Sequence, residues 1–128
     1  MTSQPVDLHY HPEHMWVRAL DASTVEIGIS DFAQGCLGDI TYIHLPDVNE
    51  SVTTGDPLGE VESAKAVSDL VSPASGVVAA VNGAVLDDPE LVNEDPYGKG
   101  WMLRLTLSKA DGTSDLLDAT GYESIIRP

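Results

Sequence analysis

The chain has a single cysteine, Cys36, in 128 residues. An intrachain disulfide is therefore impossible, and no cluster of thiolates can hold a metal within one copy. Aromatic residues are also scarce, at 5%. Small Ala, Val and Gly residues must fill the interior instead, which favours thin sheets and tight turns over a broad aromatic pocket. Basic residues number 6 against 21 acids, a formal net charge of −15. Phosphate backbones and anionic lipid surfaces repel such a chain, so nucleic acid and membrane are poor partners. Basic proteins, met through electrostatic steering, suit it better. No apolar run approaches the roughly 18 residues a membrane span needs. The opening MTSQPVDLHYH (1–11) has neither the basic start nor the apolar stretch of a secretory signal. A cytoplasmic location is expected.

What the chain does have is enough for one domain, expected to span residues 1–128. Its apolar content is 42%, and a domain of this size buries roughly two-thirds of its unfolded surface. HMWVR (14–18) and TVEIGI (24–29) alternate apolar and polar around Asp21-Ala22-Ser23, which reads as strand, turn, strand. Ser30 is placed to cap a short helix through Asp31, Phe32, Ala33 and Leu37, with Gly38 as its stop. DITYIHL (39–45) alternates again before Pro46, VVAAV (77–81) reads as a buried strand, and WMLRLTL (101–107) as the last strand. The segment 114–126 has helical spacing with Gly121 as a break. Many short strands between closely spaced turn signals predict a mainly β sandwich or barrel with peripheral helices.

GEVESAKAVSDLVSP (59–73) contains the only lysine of the first three-quarters of the chain, Lys65. Similar apolar, turn and glycine series in 52–61 and 67–81 flank it, so that two arms folding about a central turn would put Lys65 at a hairpin tip, in a hairpin of about 58–81. Three readings of the lysine follow. On a helix it would pair weakly with Glu62 or Asp69 and do nothing else. As a catalytic amine it would need desolvation or a neighbouring cation, and its neighbours are acids. As an attachment point it would need an exposed tip with small flanking residues, and Glu62, Ser63, Ala64 and Ala66 meet that need.

VESAKAVSD resembles the lipoyl-attachment motif of the glycine cleavage system H proteins. The likeness continues through LHYHPEHMWVR (8–18), VEIGISDFAQGCLGDI (25–40), IHLPDV (43–48), VESAKAVSDLVSPASGVVAAVN (61–82) and PELVNEDPYGKGWMLRL (89–105). The resemblance implies a barrel-sandwich hybrid fold with a C-terminal helix at about 114–126. It implies a carrier without catalysis of its own, holding lipoate in amide linkage on Lys65, with Glu62, Ser63, Ala64, Ala66 and Asp69 forming the surrounding motif. The implied partners are the P protein (glycine decarboxylase), the T protein (aminomethyltransferase), the L protein (dihydrolipoamide dehydrogenase) and a lipoate ligase or transferase. A monomer is expected. Biotin carriers share the architecture, but their lysine lies between methionines, whereas Lys65 lies between alanines.

The sequence departs from the family at one informative position. Family members carry an acid directly before the tryptophan of a His-Glu-Trp segment, where it helps to hold the loaded arm in a cleft. Here the order is His14-Met15-Trp16, and a thioether cannot neutralise an ammonium. Glu13, two positions before Met15, would share a strand face with it and so substitute, together with Asp69. The same loss would suit an H-like lipoate carrier of another redox pathway, such as sulfur oxidation.

The remaining features read as structural. His9, His11 and His14 in HYHPEH are interrupted by Pro12 and lack a metal-ligand pattern, so no metal is expected. DPYGKGW (95–101) is a tight turn without a phosphate-loop pattern, Cys36 is expected to pack, and Asp87, Asp88 and Glu90 form a solvated turn. Leu116, Leu117, Ile125 and Ile126 are expected to bury themselves on the protein's own sheet.

Overall fold

The computed structural model describes residues 8–108 and 116–126. The chain begins with β1 (His9–His11), β2 (Met15–Ala19) and β3 (Thr24–Ile29), then α1 (Asp31–Leu37) and β4 (Ile40–His44). β5 (Ser51–Val52), β6 (Pro57–Ser63), β7 (Val67–Val71) and β8 (Gly76–Val81) follow. After them come α2 (Gly83–Asp87), α3 (Glu90–Glu94), β9 (Leu103–Leu107) and α4 (Ala119–Ile126). Six strands form one antiparallel sheet in the order β1-β2-β3-β9-β8-β5, and three form a second in the order β4-β6-β7. This is the mainly β barrel-sandwich hybrid expected, with short helices at its periphery.

Local chemistry accounts for the elements. Asp21 Oδ1 accepts from the backbone N–H of Ser23 (2.9 Å) and Thr24 (2.8 Å), closing the turn between β2 and β3. Those bonds hold the Asp21 carboxyl below its ordinary range. Ser30 Oγ accepts from Ala33 N at 3.2 Å, capping α1, and Gly38 ends the helix at φ 78°. The inward faces of both sheets meet in one apolar core that includes Val17, Ile27, Ile43, Val61, Leu70 and Leu105. A second cluster of Leu8, Tyr10, Trp16, Ala119 and Tyr122 fixes α4 against β1 and β2. Tyr10 and Tyr122 stack with ring centroids 4.7 Å apart, and Leu117 bonds the Tyr10 backbone in both directions.

Several elements differ from expectation. β8 is half-buried rather than buried: Val78 is enclosed while Val77 is exposed, because at β8 the larger sheet is covered on one face only. The last strand starts at Leu103: Trp101 N still donates to Gly98 O in the turn, and Met102 bonds Ile27 O and Asn82 N just ahead of the strand. Two five-residue helices, α2 and α3, stand where a solvated acidic turn was expected; Asp87 closes one and Glu90 opens the other. Gly121 does not break the C-terminal helix. Asp118 Oδ1 accepts from Gly121 N at 2.7 Å, so the glycine lies in the first turn of a helix that begins at Ala119. Ser114 and Asp115 lie outside the described residues. Leu116, Leu117 and Ile126 pack against the clusters, but Ile125 stays exposed. Among the described residues no helix is long and apolar enough to cross a membrane.

Candidate functional site

The segment around Lys65 is a hairpin and not a helix. β6 and β7 pair antiparallel with Glu62 opposite Val67 and Glu60 opposite Asp69, leaving Ala64 and Lys65 in the bend. Ser63 holds that bend closed. Its backbone N–H donates to Ala66 O at 2.8 Å, and its Oγ lies 3.2 Å from Ala66 N and 3.4 Å from Lys65 N. Ala64, Lys65 and Ala66 are all exposed. Among the described residues Lys65 makes no ion pair with Glu62 or Asp69, because the hairpin has no helical three- and four-residue spacing to bring them together.

The outer arms of this region pair as well. Ser51 lies opposite Val77 and Val52 opposite Gly76, so β5 and β8 close around the inner hairpin in the larger sheet. On the outer face of the smaller sheet, Tyr42, Glu62 and Val67 form one cross-strand row. Tyr42 and Val67 are exposed at 51% and 61%, leaving apolar surface on both sides of an acid beside the tip.

A cleft of about 170 Å³ lies between the turn before β2, helix α1 and the free edge of β7. Its walls include Met15, Ile29, Phe32, Leu37, Val61 and Leu70, and its polar members are Glu13, His14, Ser68 and Asp69. The structure thus brings Glu13 and Asp69 to one cleft, although they are far apart in sequence. Glu13 reaches it differently than expected. It lies in the turn between β1 and β2, not on a strand with Met15, because the chain reverses at Pro12–His14 with His14 at φ 72°. Met15 itself is buried in the core while bordering the cleft.

Glu62, Ser63, Ala64 and Ala66 are at the tip and not on the cleft. Lys65 connects the two regions: a Cβ built on Gly38 would stand 3.6 Å from Lys65 Cε. Gly38 directly follows the helix whose Phe32, Cys36 and Leu37 line the cleft, so the lysine stem runs past the end of that wall. Cys36 is exposed on the cleft and not packed as expected.

Hydrogen bonds tie the cleft to the C-terminal helix. His14 Nδ1 lies 2.8 Å from Tyr122 Oη, and Tyr122 Oη lies 2.6 Å from Ser30 Oγ. Burial holds the His14 imidazole below its ordinary pKa, opposed by the nearby Glu13 carboxylate. His11 is lowered for the same reasons, and its Nδ1 accepts from Glu13 N at 3.0 Å. Burial raises Tyr122 to about 12 against the opposing bond from Ser30, and raises Tyr97 to about 12. Tyr97 Oη in turn accepts from Asp31 N at 2.9 Å, bracing the start of α1. The sequence reading missed this network. The only sequence signal for it was a tyrosine on the apolar face of the last helix.

Comparison with known proteins bears on the same residues. A family model described as "Glycine cleavage H-protein" matches residues 8–128. The glycine cleavage system H protein of Mycobacteroides abscessus is 52% identical over 126 residues, covering 95% of this chain and 96% of the relative. That of Mycolicibacterium smegmatis is 49% identical and covers 98% of each. The crystal structure of a glycine cleavage system H protein from Mycobacterium marinum superposes with a TM-score of 0.86 at 39% identity. It covers 94% of this chain and 96% of the other.

Proposed function

The chain belongs to the glycine cleavage H-protein family, and from that premise we propose that it is a non-catalytic carrier bearing lipoate in amide linkage on Lys65. It shuttles the aminomethyl group of glycine from the P protein to the T protein and reducing equivalents to the L protein. A lipoate ligase or transferase attaches the group, and the carrier works as a cytoplasmic monomer, one domain across residues 1–128. A carrier for sulfur oxidation is not favoured, because the matching family and relatives are those of glycine cleavage.

The observation that carries this reading is the placement of Lys65 on a serine-latched bend between two alanines, its stem beside the end of an apolar cleft. These residues fit lipoate. The exposed amine is accessible for acylation, the small neighbours leave room for a modifying enzyme, and the walls suit an aliphatic chain. Bound lipoate would supply a disulfide–dithiol pair able to accept a one-carbon amine and two electrons. The chain's own residues do the rest. Ser63 holds the tip, the walls around Met15 and Phe32 exclude water, and the Glu13 and Asp69 carboxylates offer negative charge to an ammonium group in the cleft.

Acylation removes the Lys65 charge and leaves the molecule one unit more acidic. That strengthens steering toward basic surfaces on partner enzymes. Reconstitution with the decarboxylase tests the pathway: fully lipoylated protein is expected to support glycine–bicarbonate exchange, and failure of that exchange would reject it.

A further inference from the structure

His14 is placed unusually firmly for a turn residue. Its backbone N–H donates to His11 O and its carbonyl accepts from Ser30 N, both at 2.9 Å. Its ring contacts Phe32 at 5.2 Å between centroids and bonds Tyr122 through Nδ1. Tyr122 and Ser30 are both fully buried, so each hydroxyl proton needs an acceptor inside the protein.

Besides an arrangement in which His14 Nδ1–H and Ser30 O–H both donate to Tyr122 and strand its proton, two arrangements run in one direction along the chain. In one, His14 Nδ1–H donates to Tyr122, Tyr122 donates to Ser30, and the Ser30 proton is left without an acceptor. Ser30 Oγ has only Tyr122 Oη and the Ala33 N–H within hydrogen-bond reach among the described residues, and the latter is itself a donor. In the other, Ser30 O–H donates to Tyr122, Tyr122 O–H donates to His14 Nδ1, and every group is satisfied. A buried hydroxyl without an acceptor costs about 1–3 kcal/mol, so the second arrangement prevails. It forces the imidazole proton onto Nε2, for which no protein partner exists among the described residues.

We propose that His14 presents an Nε2–H hydrogen-bond donor to the cleft, set in that tautomer by Tyr122 as a positioning residue. This rests on the reading of the cleft as the resting place of the acyl arm. The acceptor served is a carbonyl oxygen or a sulfur, both of which a lipoyl arm carries. Remaining neutral, His14 donates without placing a cation beside Glu13 and Asp69, so the cleft keeps its negative charge for an ammonium group. The titratable groups around the ring are Glu13 on its own turn, His11 at the end of β1, Cys36 on α1, Asp69 on β7 and Tyr122 on α4.

Long-range ¹⁵N NMR on the unmodified protein, with His14 assigned from His14→Asn, reads the tautomer directly. A pyrrole-type Nε2 with a pyridine-type Nδ1 is expected. Tyr122→Phe keeps the stacked ring and removes the hydroxyl. It is expected to give mixed tautomers and raise the His14 titration midpoint by roughly half a unit or more, the equivalent of one hydrogen bond. An Nδ1-protonated wild type would overturn the proposal, whether or not the variant folds. So would a folded Tyr122→Phe with unchanged tautomer and midpoint. On lipoylated protein the Nε2 signal is expected to move when the lipoyl disulfide is reduced, and an unmoved signal would overturn the donor role toward the arm. Failure to lipoylate Lys65, read by mass, would instead overturn the carrier reading and leave the tautomer result standing.

Discussion

Replacing Gly28 by alanine probes the packing of the second apolar cluster on β2 and β3, next to the strand residues Met15 and Ile29 that line the cleft. Gly28 pairs with Trp16 across β2 and β3, and a Cβ built on it would lie 2.8 Å from Trp16 Cζ2 and 2.9 Å from Cε2 and Nε1. Ordinary contact begins at 3.4 Å, so the rigid indole must retreat by about 0.6 Å or the strands must part. The ring has no slack. It is fully buried, and Nε1 donates to Pro96 O at 2.8 Å. A displacement of that size stretches the bond toward 3.4 Å, beyond useful hydrogen bonding.

Overpacking costs about 1–3 kcal/mol, and leaving the buried indole N–H poorly paired adds about 1–2 kcal/mol. The total is roughly 2–5 kcal/mol, or a fall in Tm of roughly 8–20 °C for a chain of this size. Thermal unfolding followed by tryptophan fluorescence and calorimetry measures it. A loss under about 1 kcal/mol would refute the packing argument. Because Trp16 follows Met15 on β2, the variant should also loosen the cleft.

Gly35→Ala is the opposite case: the glycine is exposed within α1 with nothing within 4 Å of a built Cβ, so a gain of about 0.5–1 kcal/mol is expected in denaturant unfolding. Ser63→Ala removes the latch beneath Lys65 and should slow lipoylation while changing stability by less than about 1 kcal/mol, since its bonds are exposed. The pH dependence has two arms. His11 and His14 have folded pKa values below their ordinary 6.5, so the unfolded chain binds more protons and stability falls as pH drops below about 6.5, less steeply in His14→Asn. Tyr97 and Tyr122 are raised from 10.0 to about 12, so their contribution is intact below about pH 10 and is lost as pH rises toward 12; Tyr122→Phe should flatten that arm in alkaline melts.

Elements built from local contrast could be read from the chain alone. TVEIGI alternates in sequence because Val25, Ile27 and Ile29 meet the core while Glu26 and Gly28 lie on the opposite face beside Arg18, Arg104 and Trp16, and its bounds match the strand. Ser30 and Gly38 mark α1 through cap chemistry that needs no distant partner. The five-residue helices α2 and α3 carry less than two turns of periodicity, so their acids suggested a turn. Gly121 suggested a break because the helix start just after Asp118 is visible only once the carboxylate–N–H bond is seen.

At the site the same division holds. The hairpin around Lys65 could be inferred from its flanking series, whereas the meeting of Glu13 with Asp69 depends on strand order. Tyr122 joins His14 across 108 positions of sequence, which no local pattern could reveal. Glu26 is a further example. It is buried and bonded to Arg18 at 2.9 Å and Arg104 at 3.1 Å. Each arginine covers a tryptophan, but the trio looks like scattered charges until β2, β3 and β9 align.

Intact mass after incubation with lipoate, ATP and a lipoate ligase tests the central claim most directly. The wild type is expected to gain one lipoyl group that peptide mapping assigns to Lys65, and Lys65→Arg is expected to gain none. An unmodified wild type, or an adduct retained by Lys65→Arg at Lys99 or Lys109, would contradict it.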